Sequence, residues 1–152
     1  MYRLIRLSHI LSMIDKFRGK YKFLSNLYPI NVEYEGSDYP SVEHAYVAAK
    51  TLDPVIREQV ASIQSPGEAK KIGHSLTLRP DWNEVRLGIM EKLLRKKFSY
   101  EHPARLLLET GDAELIESNT WQDIFWGQCN GAGENHLSRL LMKIRGELKC
   151  KV

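Results

Sequence analysis

Glu43 and Lys50 stand seven residues apart in the run Ser41-Val42-Glu43-His44-Ala45-Tyr46-Val47-Ala48-Ala49-Lys50. In a helix that spacing is two turns, about 10 Å along the axis, so carboxylate and ammonium share one side. One reading is a solvated face whose acid and base are each favoured by the helix dipole. The other is a pocket in which the pair meets charge that develops as a bond breaks. His44, in the same run, is a substrate-binding candidate on the second reading. On the first it is a histidine whose hydrogen bonds are met within the fold.

Two further clusters could do chemistry. Phe23-Leu24-Ser25-Asn26-Leu27-Tyr28-Pro29 sets a polar pair among aromatics. Asn26 there either bonds its own backbone in a turn or offers its amide to a base or sugar edge. Trp121-Gln122-Asp123-Ile124-Phe125-Trp126-Gly127 leads through a glycine-bearing loop to Asn135. Its tryptophans and aspartate read as core plus cap, or as a stacking platform with a carboxylate beside it. Glycines ahead of a helix let backbone N–H groups approach an anion, which makes the turn before Asn135 a phosphate candidate. No Walker loop or dinucleotide fingerprint accompanies it. His9, His44, His74, His102 and His136 show no zinc-like spacing with one another or with the cysteines, so no metal is predicted. Lys70 and Lys71 read as surface lysines, with Lys70 an alternative entrant to the site.

The elements that must position these residues are mostly helices. Residues 1–12 carry Arg3 and Arg6 and no acid, and read as a short amphipathic helix or a leader before Met13. Residues 21–39 carry strand and turn signals, with a hairpin turn at Gly36-Ser37-Asp38. Ser41 caps a helix whose apolar stripe is Val42, Ala45, Tyr46 and Ala49. Asp53-Pro54 opens a second helix, and Ser65-Pro66-Gly67-Glu68 is a capping box for a third, closed by Gly73. Asp81 caps the longest helix, with Trp82, Val85, Ile89, Leu93 and Leu94 inward and Arg86, Lys92, Arg95 and Lys96 mostly outward. His102-Pro103 to Thr110 forms another, stopped by Gly111. Residues 114–117 read as a strand, and Leu137, Leu140, Leu141, Ile144 and Leu148 as the stripe of a last helix. The sum is one α+β domain, helix-rich, with a small β-sheet mainly near its N-terminal end.

Composition agrees and narrows the classes. The chain has 152 residues, 43% hydrophobic and 27% charged, which fits one ordinary globular domain and excludes disordered or collagen-like chains. No apolar run is long enough for a transmembrane helix. Cys129 and Cys150 make a poor disulfide framework, so a reducing, cytoplasmic setting is expected. Net charge is +3, and +1 without Arg3 and Arg6, with basic residues spread rather than clustered. A nucleic-acid-binding module is the weakest reading.

The three clusters, in this order, resemble the NADAR superfamily, also called the YbiA-like family. The resemblance runs from Ile14-Asp15-Lys16-Phe17-Arg18-Gly19 to Ile144-Arg145. Its most specific parts are Phe23 to Pro29, Tyr39 to Tyr46 with Lys50, and Ala69-Lys70 with Gly73. Trp82, Arg86, Met90, Lys97-Phe98, Trp126-Gly127, Asn135 and Leu141 to Arg145 add to them. The resemblance implies a YbiA-like domain over residues 13–152, with 1–12 a dispensable extension or leader. It implies an N-glycosidase that cleaves a ribose C1–N bond without cofactor or metal. The substrate would be a ribosylaminopyrimidine phosphate of riboflavin synthesis or ADP-ribose on guanine, free or in nucleic acid. A non-catalytic module binding ADP-ribose or a related nucleotide is the alternative. Glu43 matches the family's functional glutamate and would stabilise C1 or activate water. Lys50, then Lys70, is the candidate nucleophile. Trp126 would stack on the base, Asp123 bond or protonate it, and Asn26 orient sugar or base. Arg18 and the turn before Asn135 are the phosphate candidates. Val47 stands where many members have Gln, and Ser138 where Gly is usual.

Overall fold

Val42–Ala49, the first long helix (α1), is buried nearly all round, and the rest of the chain is arranged by that burial. Val42, His44, Ala45, Tyr46, Val47, Ala48 and Ala49 all leave solvent, so the expected stripe is in fact a central rod with Glu43 its half-buried exception. Three alanines make this feasible, because small side chains let neighbouring helices approach closely. The structure, a computed structural model, describes residues 12–152. The reading of 1–12 as a helix or leader falls outside the described residues, save for Ser12, whose carbonyl accepts the Glu114 N–H at 2.9 Å.

Three helices surround α1: Pro54–Ser62 (α2), Pro66–Ser75 (α3) and Trp82–Lys97 (α4). Glu101–Glu109 (α5) and His136–Cys150 (α6) pack together, and α6 also lies on α4. The caps are local. Ser41 Oγ accepts the His44 N–H at 3.1 Å, Asp53 Oδ1 the Val55 N–H at 2.8 Å, and Ser65 Oγ the Glu68 N–H at 3.4 Å. Asp81 departs from expectation: its carboxylate takes the Arg79 guanidinium at 2.6 Å and makes no side-chain cap for α4. Gly111 ends α5 with φ +64°, as expected.

Gly73 does not close α3, which runs on to Ser75. Its role is close packing: a Cβ there would lie 2.8 Å from Val47 Cγ2 and 3.2 Å from Lys50 Nζ. Val47, the apolar residue at a position expected to be polar, therefore fills the α1–α3 seam. Ser138 is fully buried on α6, and its hydroxyl has no hydrogen-bond partner.

One N-terminal sheet was the expectation. Three two-stranded pairs are present among the described residues. Val32–Tyr34 (β2) and Ser37–Tyr39 (β3) form the expected hairpin, but its turn is Glu35-Gly36, both at positive φ, and Ser37 and Asp38 already belong to β3. Met13–Ile14 (β1) pairs in parallel with Glu114–Leu115 (β4), and Ser118–Asn119 (β5) with Gln128–Cys129 (β6). The predicted strand at 114–117 is thus a strand only at Glu114–Leu115, and β5 begins just past its end with a different partner. Two-residue parallel pairs carry no alternation, so a period-2 pattern cannot reveal them.

Candidate active site

A cavity of about 880 Å³ opens beside α1. Its walls come from the turn at Ser25-Asn26, α1, α3, α4 and the segment from Glu117 to Trp126. Of the residues singled out from sequence, Glu43, Lys50, Lys70, Asp123, Trp126, Asn26 and Arg18 line it. The α1 pair therefore faces a pocket and not open solvent.

Burial decides the electrostatics. It pushes the Glu43 carboxyl up, Asp123 adding to the effect while Lys70 and Lys50 pull it down. It pushes the Lys50 ammonium down, with Lys70 adding and Glu43 opposing. Lys50 Nζ donates to the Gly73 carbonyl at 3.4 Å and lies 5.5 Å from the Tyr46 ring centre. An amine whose charged form is penalised is the better nucleophile. Lys70 Nζ sits 4.5 Å over the ring of Trp121, an indole 55% exposed at the cavity wall.

Asn26 is held by its backbone and open at its side chain. Its carbonyl accepts the Glu43 N–H at 3.1 Å, its Nδ2 faces Met90 Sδ at 3.6 Å, and its Oδ1 is buried without a partner. Beneath the same turn, fully buried Lys97 donates from Nζ to the Ser25 carbonyl at 2.8 Å, and burial brings its pKa down to about 7.

The Asp123–Gly127 turn is fixed from two directions. Asp123 Oδ1 accepts the N–H groups of Phe125 (3.1 Å) and Trp126 (2.9 Å). Four successive N–H groups, of Glu134, Asn135, His136 and Leu137, donate to the carbonyls of Ile124, Gly127, Phe125 and Trp126. This corrects the phosphate reading of that loop. The free donors at the head of α6 are already taken by protein carbonyls, so they are not available to an anion. Trp126 donates from its indole nitrogen to Tyr46 Oη at 3.1 Å and meets the Tyr46 ring edge-on, which sets its ring rigidly in the wall.

Two candidates lie outside the cavity lining. His44 Nε2 contacts the Ile63 carbonyl at 2.7 Å and so carries the hydrogen; Nδ1 then accepts from Ser41 Oγ at 2.7 Å. Both ring nitrogens are used, and burial pushes its pKa down. Asn135 is 6% exposed and structural: Oδ1 accepts the Glu117 N–H and Nδ2 donates to the Leu115 carbonyl, each at 3.0 Å.

Arg86 and Glu117 are two of the lining residues that the sequence did not single out for the site. Arg86 turns inward, its guanidinium 3.5 Å over the Phe125 ring and its Nε buried without a partner. It is among the residues that carry the family resemblance, which was the available signal. Glu117 has a buried Oε2 with no hydrogen-bond partner. It packs on Gly127, where a Cβ would lie 1.9 Å from that oxygen. Burial first, then Asp123 and Glu43, raise its pKa to about 7, against Lys70 and Asn119. No pattern in the chain marks it. Among the described residues no three His, Cys, Asp or Glu side chains could together hold a metal ion, and no helix is long and apolar enough to cross a membrane. Cys129 and Cys150 are both free thiols.

The NADAR domain model matches residues 14–149. N-glycosidase YbiA of Shigella flexneri is 38% identical over 132 residues, covering 84% of this chain and 82% of that protein. A riboflavin biosynthesis protein of Vibrio vulnificus is 37% identical over 131 residues; the chain covers 35% of its length. The NMR structure of Escherichia coli YbiA superposes with a TM-score of 0.81 at 32% identity, covering 96% of this chain and 91% of that one.

Proposed function

The chain belongs to the NADAR family, and we propose that it is a hydrolase that cleaves a ribose C1–N bond in a nucleotide-like substrate. The observation that carries this reading is the convergence of Glu43, Lys50 and Lys70 in one cavity with Asn26 and an aromatic wall. Breaking an N-glycosidic bond builds positive charge at C1, and a carboxylate held there in a partly desolvated site lowers the barrier. Glu43 has that role. Its counter-charges, Lys50 and Lys70, keep a share of it ionised against the upward push of burial.

Two routes replace the base. Water, activated by Glu43, attacks C1; or the Lys50 amine attacks it, giving a Schiff base with the opened sugar that water then hydrolyses. The depressed proton affinity of Lys50 supports the second route and its place ahead of Lys70. Trp126, held against Tyr46, supports an aromatic base, and Asn26 Oδ1 offers an acceptor to a sugar hydroxyl or base N–H. Arg86, Arg18 and Lys16 are the lining cations left for a phosphate.

The substrate is a ribosylaminopyrimidine phosphate or ADP-ribosylated guanine. A cavity of about 880 Å³ lies near the upper end of ordinary small-molecule sites, roughly 300–1,000 Å³, and has room for base, sugar and phosphate together. The test is incubation with ribosylaminopyrimidine phosphates and with ADP-ribosylated guanosine at about 1 mM, the top of the usual KM range. Release of base and reducing sugar supports the reading. Tight binding with no release from either returns the protein to the class of nucleotide-binding modules.

A further inference from the structure

We propose that Glu117 is the acid of this reaction, giving its proton to the base nitrogen as the C1–N bond breaks. The proposal rests on the N-glycosidase reading and names the residue that makes the leaving group able to leave. An amine departs poorly as an anion, so a proton must reach it in the transition state.

Four carboxyl groups line the cavity; Asp15 is exposed to solvent, and their surroundings sort the other three, Glu43, Glu117 and Asp123. Asp123 Oδ1 is already taken up by two backbone N–H groups of the turn it holds. Glu43 has two lysines in its field and stands at the N-terminus of α1, where the dipole favours an anion. Glu117 has neither advantage. Its Oε2 is buried against Gly127 with no donor, the negative charges of Asp123 and Glu43 face it, and only Lys70 and the Asn119 amide oppose them. Of the three, Glu117 is the one with a buried carboxyl oxygen that no donor meets, which favours its protonated form. Such a division between one protonated and one ionised carboxyl is how paired acids serve glycoside cleavage.

Its position is also fixed. The Glu117 N–H donates to Asn135 Oδ1 at 3.0 Å, and its carbonyl accepts the Gln128 N–H at 2.8 Å. Gly127, lacking a side chain, leaves the space the carboxyl fills. In the step itself the C1–N electron pair goes to nitrogen, which takes the Glu117 proton. An oxygen of water, or the Lys50 amine, bonds to C1 in its place. When water attacks, its proton passes to Glu43; when Lys50 attacks, one amine proton passes to the ring oxygen as the ring C1–O bond opens to give the Schiff base. In both routes Glu117 regains its proton from solvent.

The test uses Glu117→Gln, which keeps shape and loses the proton. With exocyclic-amine leaving groups, kcat falls about 100-fold or more, and the alkaline limb of the wild-type profile disappears. With a leaving group that departs as a stable anion, a 4-nitrophenyl riboside phosphate, the loss is under about threefold. Equal losses on both, or an unchanged alkaline limb, would overturn the proposal. Should this variant not fold or the riboside not be turned over, Asp123→Asn is decisive: it retains Glu117, removes the facing charge and moves the alkaline limb to lower pH. An unmoved limb counts against Glu117. Carbon-13 titration of the Glu117 carboxyl in the wild-type protein needs no turnover. A midpoint in the ordinary carboxylate range refutes the acid role even if no N-glycoside is cleaved, whereas absent cleavage with a near-neutral midpoint refutes only the N-glycosidase reading.

Discussion

The Glu43 N–H donates to the Asn26 carbonyl at 3.1 Å, so one hydrogen bond joins the polar turn to the first turn of the central helix. The carboxylate and the amide that line the cavity are thereby placed by a single backbone contact, supported from below by Lys97 on Ser25. Cavity groups and scaffold are not separable here.

Glu43→Gln keeps the side chain's size and removes its charge. Loss of a stabilising group aimed at developing charge lowers kcat about 100- to 1,000-fold. Stability does not fall. The raised carboxyl pKa means the folded state binds more protons than the unfolded one above the usual carboxylate value, so ionised Glu43 costs stability as pH rises. Steady-state kinetics with thermal melts at neutral pH check both halves.

Borohydride added during turnover traps a sugar adduct on Lys50, located by peptide mass spectrometry. Lys50→Arg abolishes the adduct and retains the fold. An adduct on Lys70 would reverse the order of the two lysines.

Trp121→Ala removes the exposed indole beneath Lys70. A cation over an exposed aromatic ring contributes about 0.5–1 kcal/mol, so loosening Lys70 raises KM about two- to fivefold with kcat unchanged.

Gly127→Ala forces a Cβ to 1.9 Å from Glu117 Oε2 and 2.1 Å from its carbonyl oxygen. Denaturant unfolding shows a loss of about 1–3 kcal/mol or more, as for other overpacked sites. Gly88→Ala on α4 meets nothing within 4 Å and gains about 0.5–1 kcal/mol from helix propensity.

Lys97 gives the protein a pH signature. Its folded pKa is about 7 against 10.5 unfolded, so between these values the unfolded chain holds the extra proton and stability rises with pH. Lys97→Met flattens that rise, read from unfolding midpoints between about pH 7 and 10.

Much of this was legible in the chain because it is local. Ser41, Asp53 and Ser65 cap helices through N–H groups two or three residues away, and Gly111 ends one by its own φ, so such signals survive without any tertiary context. The succession of helices and the α+β, helix-rich class follow from periodicity of the same reach, and the family from the motifs those helices carry. Asp81 looks like a cap until Arg79, only two residues away, claims its carboxylate. Other features depend on residues far apart in sequence. The loop before Asn135 looks like an anion site until the carbonyls of Ile124 to Gly127 fill the head of α6. Arg86 and Lys97 belong to the most charged helix, yet Lys97 is fully buried under Ser25 and Arg86 half-buried over Phe125.

By itself the sequence determined that Glu43 and Lys50 lie on one side of a capped helix, in a chain with the NADAR pattern. It left open whether that side meets water. The tertiary structure decided it: α2, α3 and α4 bury α1 nearly all round, and the aromatic turn held by α6 closes the far wall of a cavity instead of packing flush. Periodicity records which residues leave water, because that is a property of one helix. Whether the neighbours leave a void, and which buried carboxyl keeps its proton in it, is a property of their joint packing.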